Sequence, residues 1–236
     1  MLLENSVFDS GCADCSLNSL CLPVAVNLGE LDRLEQIIKR SQPLRKGGHL
    51  FRAGDAFTSV YAVKSGCIKT YALDEAGDEQ ITGFYLPGEI FGTDGISANS
   101  HFDSAKALDT SAVCEIPFLR LEVLLSQIPS LQRHFFAIMS KEIQEDKRLH
   151  MLLSRKSADQ RLASFLLSIA ARHQSRKLSA NRFRLPMSRG DIGNYLGLTD
   201  ETISRIFSRF QKEGMLKTDG REIEILNRDL LRNIGN

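Results

Sequence analysis

The stretch Ser188-Arg189-Gly190-Asp191-Ile192-Gly193-Asn194-Tyr195-Leu196-Gly197-Leu198-Thr199 runs on into Asp200-Glu201-Thr202-Ile203-Ser204-Arg205-Ile206-Phe207-Ser208-Arg209-Phe210. It reads as two short helices and the turn between them. Ser188 with an acid three residues on is an N-terminal capping pair, and Ile192, Tyr195 and Leu196 give an apolar face that Gly197 should end. Thr199 caps the second helix, whose buried face is predicted to be Ile203, Ile206, Phe207 and Phe210. Asp200, Glu201, Ser204, Arg205, Ser208 and Arg209 then point elsewhere. Two helices joined by a Gly-containing turn form the helix-turn-helix pattern, which lays the start of its second helix in the DNA major groove. Glu201, Ser204 and Arg205 share a face at that end. Their chemistry suits base edges: Arg donates two bonds to guanine, Glu accepts from cytosine, and Ser contacts either partner. Thr199 and Arg209 complete the candidate DNA-contacting set. Downstream, Gly214-Met215-Leu216-Lys217 and Glu222-Ile223-Glu224-Ile225, joined by Asp219-Gly220, predict the hairpin of a winged variant. A helical hairpin used only for packing would need neither the polar face nor the wing.

Charge supports the same end of the chain. The 236 residues carry a net charge of +1, but residues 1–154 hold 14 Lys/Arg against 20 Asp/Glu, a net −6, and residues 155–236 hold 16 against 9, a net +7. A basic C-terminal third behind an acidic body suggests that a polyanion binds there. No run of about 18 apolar residues is present to span a bilayer, and the stretch Met1 to Ser10 carries acids rather than the basic start of an export signal. A cytoplasmic protein with no membrane partner is expected. The length suits two domains.

Ahead of the reading head the texture changes twice. Residues 29–40 place Leu31, Leu34, Ile37 and Ile38 at helical spacing before Pro43, which predicts one short helix. Residues 47–116 show alternating runs such as Ser59-Val60-Tyr61-Ala62-Val63 and Cys67-Ile68-Lys69-Thr70-Tyr71, punctuated by glycines, the pattern of a compact antiparallel roll or barrel. Residues 128–154 contain no glycine, Pro129 sits where a helix can begin, and apolar residues return in steps of three and four. Phe136, Met139, Ile143, Asp146, His150 and Leu153 form one seam with the alternating steps of a two-helix coiled coil, so a homodimer is expected. Two facing Asp146 carboxylates would repel and make that dimer marginal, and His150 either modulates the repulsion or lies solvated at the rim. Residues 156–173 add a helix with Leu162, Phe165, Leu166 and Ile169 as its apolar face. The expected fold is α+β, in four parts: a cysteine-rich loop (1–27), an antiparallel β-roll sensor domain (28–127), a dimerisation helix (128–154) and a winged helix-turn-helix (155–236).

Five cysteines, odd in number and unevenly spread, suit metal binding or redox chemistry better than disulfides. Cys12, Cys15 and Cys21 lie within ten residues of loop-like sequence, close enough for one metal centre. A fourth ligand is needed, and Cys67 and Cys114, both on predicted strands, are the candidates. Four thiolates suit zinc or an iron-sulfur cluster, and spacing does not decide between them.

Taken together, these residues resemble the FNR branch of the CRP/FNR transcription regulators over nearly the whole chain. The resemblance rests on the C-x2-C-x5-C spacing at Cys12, Cys15 and Cys21; on Gly77-Asp78-Glu79-Gln80-Ile81-Thr82-Gly83-Phe84; on Val113-Cys114-Glu115-Ile116-Pro117; and on residues 189–199 continuing into Glu201-Thr202-Ile203-Ser204-Arg205, similar to the family's E-x-x-S-R reading motif. It implies an oxygen-labile four-iron, four-sulfur (4Fe-4S) cluster on Cys12, Cys15, Cys21 and Cys114, with Cys67 a non-ligand. It also implies half-sites like TTGAT in an inverted repeat, and an activator that touches RNA polymerase. Two departures stand out: the segment before Cys12 is short, and His150 occupies a seam position where the family usually has an aliphatic residue.

Three other functions compete with this one. A cyclic-nucleotide-responsive regulator needs an Arg with hydroxyl or amide donors in the roll, and His101-Phe102-Asp103-Ser104-Ala105-Lys106 lacks the Arg-Ser pair that cyclic-AMP-binding relatives carry. A structural zinc site under the same reading head would be separated by metal analysis. A thiol oxidoreductase would need a βαβ context around Cys12 and Cys15 that the sequence does not offer, and no P-loop, zincin or nucleophile-elbow motif is present.

Overall fold

The structure, a computed structural model, describes residues 11–235. The acidic stretch 1–10 of the cysteine-rich loop, and Asn236, lie outside the described residues. The chain divides into two compact units, Met1–Ile143 and Gln144–Asn236, with the division inside the long helix.

The first unit is the roll. Its strands are β1 (Lys39–Arg40), β2 (His49–Phe51), β3 (Ser59–Ser65), β4 (Ile68–Leu73), β5 (Glu79–Tyr85), β6 (Ile90–Phe91), β7 (Ser104–Ala107) and β8 (Ala112–Pro117). They form two four-stranded antiparallel sheets, in the orders β1-β8-β3-β6 and β2-β7-β4-β5. The period-2 pattern of β3 separates two cores. Val60 and Ala62 enter a cluster with Ile116, Leu121 and Leu131, whereas Tyr61 and Val63 enter a second one with Phe51, Ile68 and Phe91. A strand buried on both faces has no polar side to show, which is why Ser59 to Val63 is buried throughout.

Helix α1 (Leu28–Ile37) is shorter than the predicted 29–40. Asn27 and Glu30 form a capping box at its start. Lys39 and Arg40 leave the helix to pair with Glu115 and Cys114 of β8. Helix α2 (Phe118–Gln127) was not anticipated; it buries Leu121, Leu124 and Leu125. Helix α3 (Pro129–Arg155) begins at its proline as expected and, at 27 residues, is about 40 Å long. Within the roll unit its Leu131 and Phe135 are buried. Tyr85 and Thr93 donate to the two carboxylate oxygens of its Glu142, at 3.0 and 2.7 Å.

The second unit contains α4 (Ala158–Ser175), α5 (Arg189–Leu196), α6 (Asp200–Lys212) and α7 (Arg228–Gly235), with strands β9 (Arg182–Arg184), β10 (Leu216–Asp219) and β11 (Glu222–Ile225). Ser157 and Gln160 cap α4, whose predicted apolar face, Leu162, Phe165, Leu166 and Ile169, is buried. The wing is three-stranded, in the order β10-β11-β9, because β9 adds to the predicted hairpin. The molecule is therefore α+β: an antiparallel roll, a long helix and a winged helix-turn-helix. No helix among the described residues is long and apolar enough to cross a membrane.

Candidate nucleic-acid interface and thiol cleft

The turn of the helix-turn-helix is built by sterics. Ser188 accepts from the Asp191 N–H at 3.0 Å, and Asp191 accepts from the Ser188 N–H at 2.9 Å. Gly197 closes α5 in the left-handed region, with φ of 63°, where a Cβ would strain the backbone. At Gly193 the constraint is space: a Cβ there would stand 2.6 Å from the Leu198 carbonyl oxygen. Thr199 caps α6 by accepting from the Thr202 N–H at 3.2 Å.

Helix α6 buries Ile203, Ile206, Phe207 and Phe210, as predicted, and leaves Glu201, Ser204, Arg205 and Arg209 exposed. The Arg205 guanidinium donates to Thr202 Oγ1 at 3.3 Å, so Thr202 steadies the candidate base-reading arginine. Hydrogen bonds from its own backbone N–H and from the Thr199 side chain hold the fully exposed Glu201 carboxyl below its ordinary range. That keeps it an acceptor. Arg209 ion-pairs with Asp159 of α4, so its place in the candidate set differs from that of Arg205. Sequence reasoning gave Arg189 no role beyond its place in the cap. Its guanidinium lies 3.3 Å from the Phe207 ring centroid, and burial lowers its pKa to about 10 against the opposing pull of Asp200.

The four cysteines implied as ligands line one cleft, although Cys114 lies far along the chain from the others. Its volume is about 430 Å³, including its open mouth, and its walls include Leu17, Leu22, Ile38, Val63 and Ile116. Turns set the loop: the Cys15 N–H donates to the Cys12 carbonyl at 3.4 Å and the Cys21 N–H to that of Leu17 at 3.1 Å. The Cys12 N–H donates to Glu35 of α1 at 3.0 Å. Cys114 sits mid-strand in β8, opposite Ala62 on one side and Arg40 on the other. Burial pushes the Cys21 thiol up to about 12 and the Cys12 thiol up to about 11, and raises Cys114 as well. Neutral thiols are favoured in such a cleft until a cation compensates the thiolates. Among the described residues no group of three His, Cys, Asp or Glu side chains is arranged to hold a metal ion. Cys67 is not on a strand as predicted. It is fully buried in the turn before β4, where its N–H donates to Ser111 Oγ at 3.1 Å, and it does not line the cleft.

Of the seam residues on α3, Phe136 and Ile143 are 58% and 53% exposed, Asp146 and His150 are exposed, and Met139 and Leu153 are half-buried. Partial desolvation holds the largely exposed Asp146 carboxyl above its ordinary value.

A double-sheet roll, a long helix with an exposed apolar stripe, and a winged helix-turn-helix with a polar reading face define a DNA-binding transcription regulator. Residues 160–234 match the Crp-like helix-turn-helix domain, and residues 41–127 match the cyclic nucleotide-binding domain. The chain is 53% identical over 216 residues to the transcriptional activator protein Anr of Pseudomonas protegens, covering 92% of this chain and 88% of that one. It is 50% identical over 220 residues to the fumarate and nitrate reduction regulatory protein of Escherichia coli K12, covering 93% and 88%. The structure of FixK2 from Bradyrhizobium japonicum superposes with a TM-score of 0.78 at 33% identity, over 85% of this chain and 98% of that one. The chain belongs to the CRP/FNR family of transcription regulators, with the FNR-type members, and is not an enzyme.

Proposed function

We propose that this regulator binds DNA as a homodimer under low oxygen, through TTGAT-type inverted repeats, and loses that binding in oxygen. The observation that carries the reading is the convergence of Cys12, Cys15, Cys21 and Cys114 on one apolar cleft. Soft thiol donors with an apolar surround fit a 4Fe-4S cluster, and these four residues would hold it. When bound, that group supplies positive charge for four thiolates and a core that oxygen can damage.

The chain's own residues do the rest. Ligation by Cys12, Cys15, Cys21 and Cys114 would tie residues 12–21 to β8; without it, burial favours neutral thiols at Cys12 and Cys21, on a loop held by turns and by Glu35. Phe136 and Ile143 offer the apolar surface for association, and a pair of Asp146 carboxylates opposes it, so a small bias decides between monomer and dimer. Two α6 helices about 34 Å apart then address successive major grooves. Glu201, Ser204 and Arg205 read base edges, Thr199 supports them, and Arg209 contacts DNA once released from Asp159. As an activator the protein would also touch RNA polymerase. The four-part division, 1–27, 28–127, 128–154 and 155–236, is the functional partition this reading assigns.

Control by a cyclic nucleotide is disfavoured by the roll itself. His101 stacks on Phe51 with ring centroids 3.7 Å apart and pairs with Asp94, and the stretch His101 to Lys106 offers no arginine to hold a phosphate.

The test is iron, acid-labile sulfide and the visible spectrum of protein purified without oxygen, then titration with air while mass in solution is followed. About four irons per chain, bleaching and a shift from dimer to monomer are expected. Stoichiometric zinc, or full DNA affinity without metal, would refute the reading.

A further inference from the structure

We propose that Arg161 is a positioning residue that sets the angle of the reading head on the C-terminal turn of α3, and so determines whether two heads reach both half-sites at once. The proposal rests on the homodimer reading above for its consequence on DNA, but its geometry lies wholly within the second unit.

The Arg161 guanidinium, near the start of α4, donates to three backbone carbonyls: Leu153 at 2.7 Å, Lys156 at 3.0 Å and Leu196 at 3.0 Å. Two of these lie at helix ends, where the last carbonyls have no partner of their own: Leu153 is in the last turn of α3, which ends at Arg155, and Leu196 is the final residue of α5. One rigid, planar cation therefore joins the end of the long helix to the first helix of the reading head. A lysine, with a point charge and no fork, could not reproduce the three directions. Around it the packing is close. A Cβ at Gly197 would meet Arg161 Nη1 at 3.5 Å and Leu153 Cδ2 at 3.7 Å, so the turn ahead of α6 rests on the arginine and on the final turn of α3. Leu153, a seam candidate, thus also packs toward the head. Tyr195, beside Leu196 on α5, packs against Phe165 with centroids 5.9 Å apart, and its hydroxyl is held up to about 12 by burial first, then, against the lowering pull of Arg172, by Glu145 and Asp146 of α3.

A dimer reads two half-sites only when both heads keep a fixed angle to the shared helix, because the half-sites lie one helical turn, about 34 Å, apart. A loose joint would leave each head able to bind while lowering the chance that both engage together. Removing the fork should therefore weaken the full site selectively.

The experiment compares the parent chain with Arg161→Met, which keeps the stem, and Arg161→Lys, which keeps the charge. Affinities are measured oxygen-free for duplexes carrying a full inverted repeat, a single half-site, and the repeat with its spacer changed by one base pair. Full-site affinity is expected to fall by about tenfold or more in both variants. Half-site affinity stays within about twofold, dimer mass is unchanged, and the penalty for a changed spacer shrinks. An equal loss on full and half sites would overturn the proposal in favour of a phosphate contact or a folding role, as would no loss at all. A second readout needs no dimer. Nitroxides introduced through non-canonical residues at Lys147 and Ser208 should give a broader distance distribution in Arg161→Met, and an unchanged distribution overturns the proposal. A parent chain that stays monomeric would refute the homodimer reading and leave this second readout to judge Arg161.

Discussion

Replacing Gly193 by alanine puts the turn of the reading head under a load that can be estimated. The added Cβ would lie 2.6 Å from the Leu198 carbonyl oxygen, roughly 0.8 Å short of the 3.4 Å at which ordinary contact begins. The obstacle is backbone, so it cannot rotate away. Leu198 is held by its own N–H, which donates to the Gly193 carbonyl at 2.8 Å. With the strain relieved by opening the turn about a lever of roughly 5 Å, one helical turn, α6 tilts by about 9°. Arg205, about 9 Å along the axis from Thr199, then moves by roughly 1.4 Å. Such a displacement breaks a bidentate base contact worth about 1–3 kcal/mol, so cognate affinity should fall roughly 5- to 150-fold per head. Overpacking should cost a further 1–3 kcal/mol or so of stability. Fluorescence anisotropy with a cognate duplex measures the first effect, and thermal unfolding followed by circular dichroism measures the second. A Gly193→Ala protein with parental affinity and parental Tm would show that the turn has slack, and the steric account of the head would be wrong.

Other expectations concern the seam, the thiols and the bases. Ile143→Ala removes side chains that are half exposed in the protomer, a loss of about 1 kcal/mol on each side of a dimer, so its dissociation constant should rise roughly 30-fold by sedimentation equilibrium. The Asp146 carboxyl, which partial desolvation already holds above its ordinary value, should rise further when two copies face each other. Association then takes up protons: it strengthens as pH falls from neutral through the dimer's raised value, and Asp146→Leu should dimerise without metal and without that pH dependence. A monomeric Asp146→Leu chain in air would sink the seam. Cys114→Ser should lose bound iron, whereas Cys67→Ser keeps it and loses about 1–3 kcal/mol of stability from a buried hydroxyl; iron analysis and thermal unfolding separate the two. Arg205→Ala should cost about 1–3 kcal/mol on the cognate site and relax preference at one base pair, while equal loss on every sequence would make it a phosphate contact.

Local pattern carried much of the fold. The caps at Ser188 and Thr199, the helix-ending Gly197, the start of α3 at Pro129 and the buried face of α6 each depend on residues a few positions apart, so spacing alone specified them. Helix α1 ended earlier than its periodicity suggested because Lys39 and Arg40 found partners on β8, and a strand pairing across the sheet is invisible to a window of residues. Helix α2 and the third wing strand β9 went unread; β9 is only three residues, held in place by β11.

The site divides in the same way. Sequence by itself determined which side chains α6 buries and which it exposes, since a helix fixes its faces once its period is known. It also determined that three cysteines lie close together, but from residue types alone it left Cys67 and Cys114 as equal candidates, and only the resemblance favoured Cys114. Tertiary structure placed Cys114 in the cleft and Cys67 in a buried turn, because strand order sets what faces the loop. The Arg161 fork, the Glu142 hydrogen bonds to the roll and the pairing of Arg209 with Asp159 belong to tertiary structure alone. An arginine on a helix reads in sequence as a solvated charge; which carbonyls it meets depends on how separate helices end beside one another, and no periodicity records that.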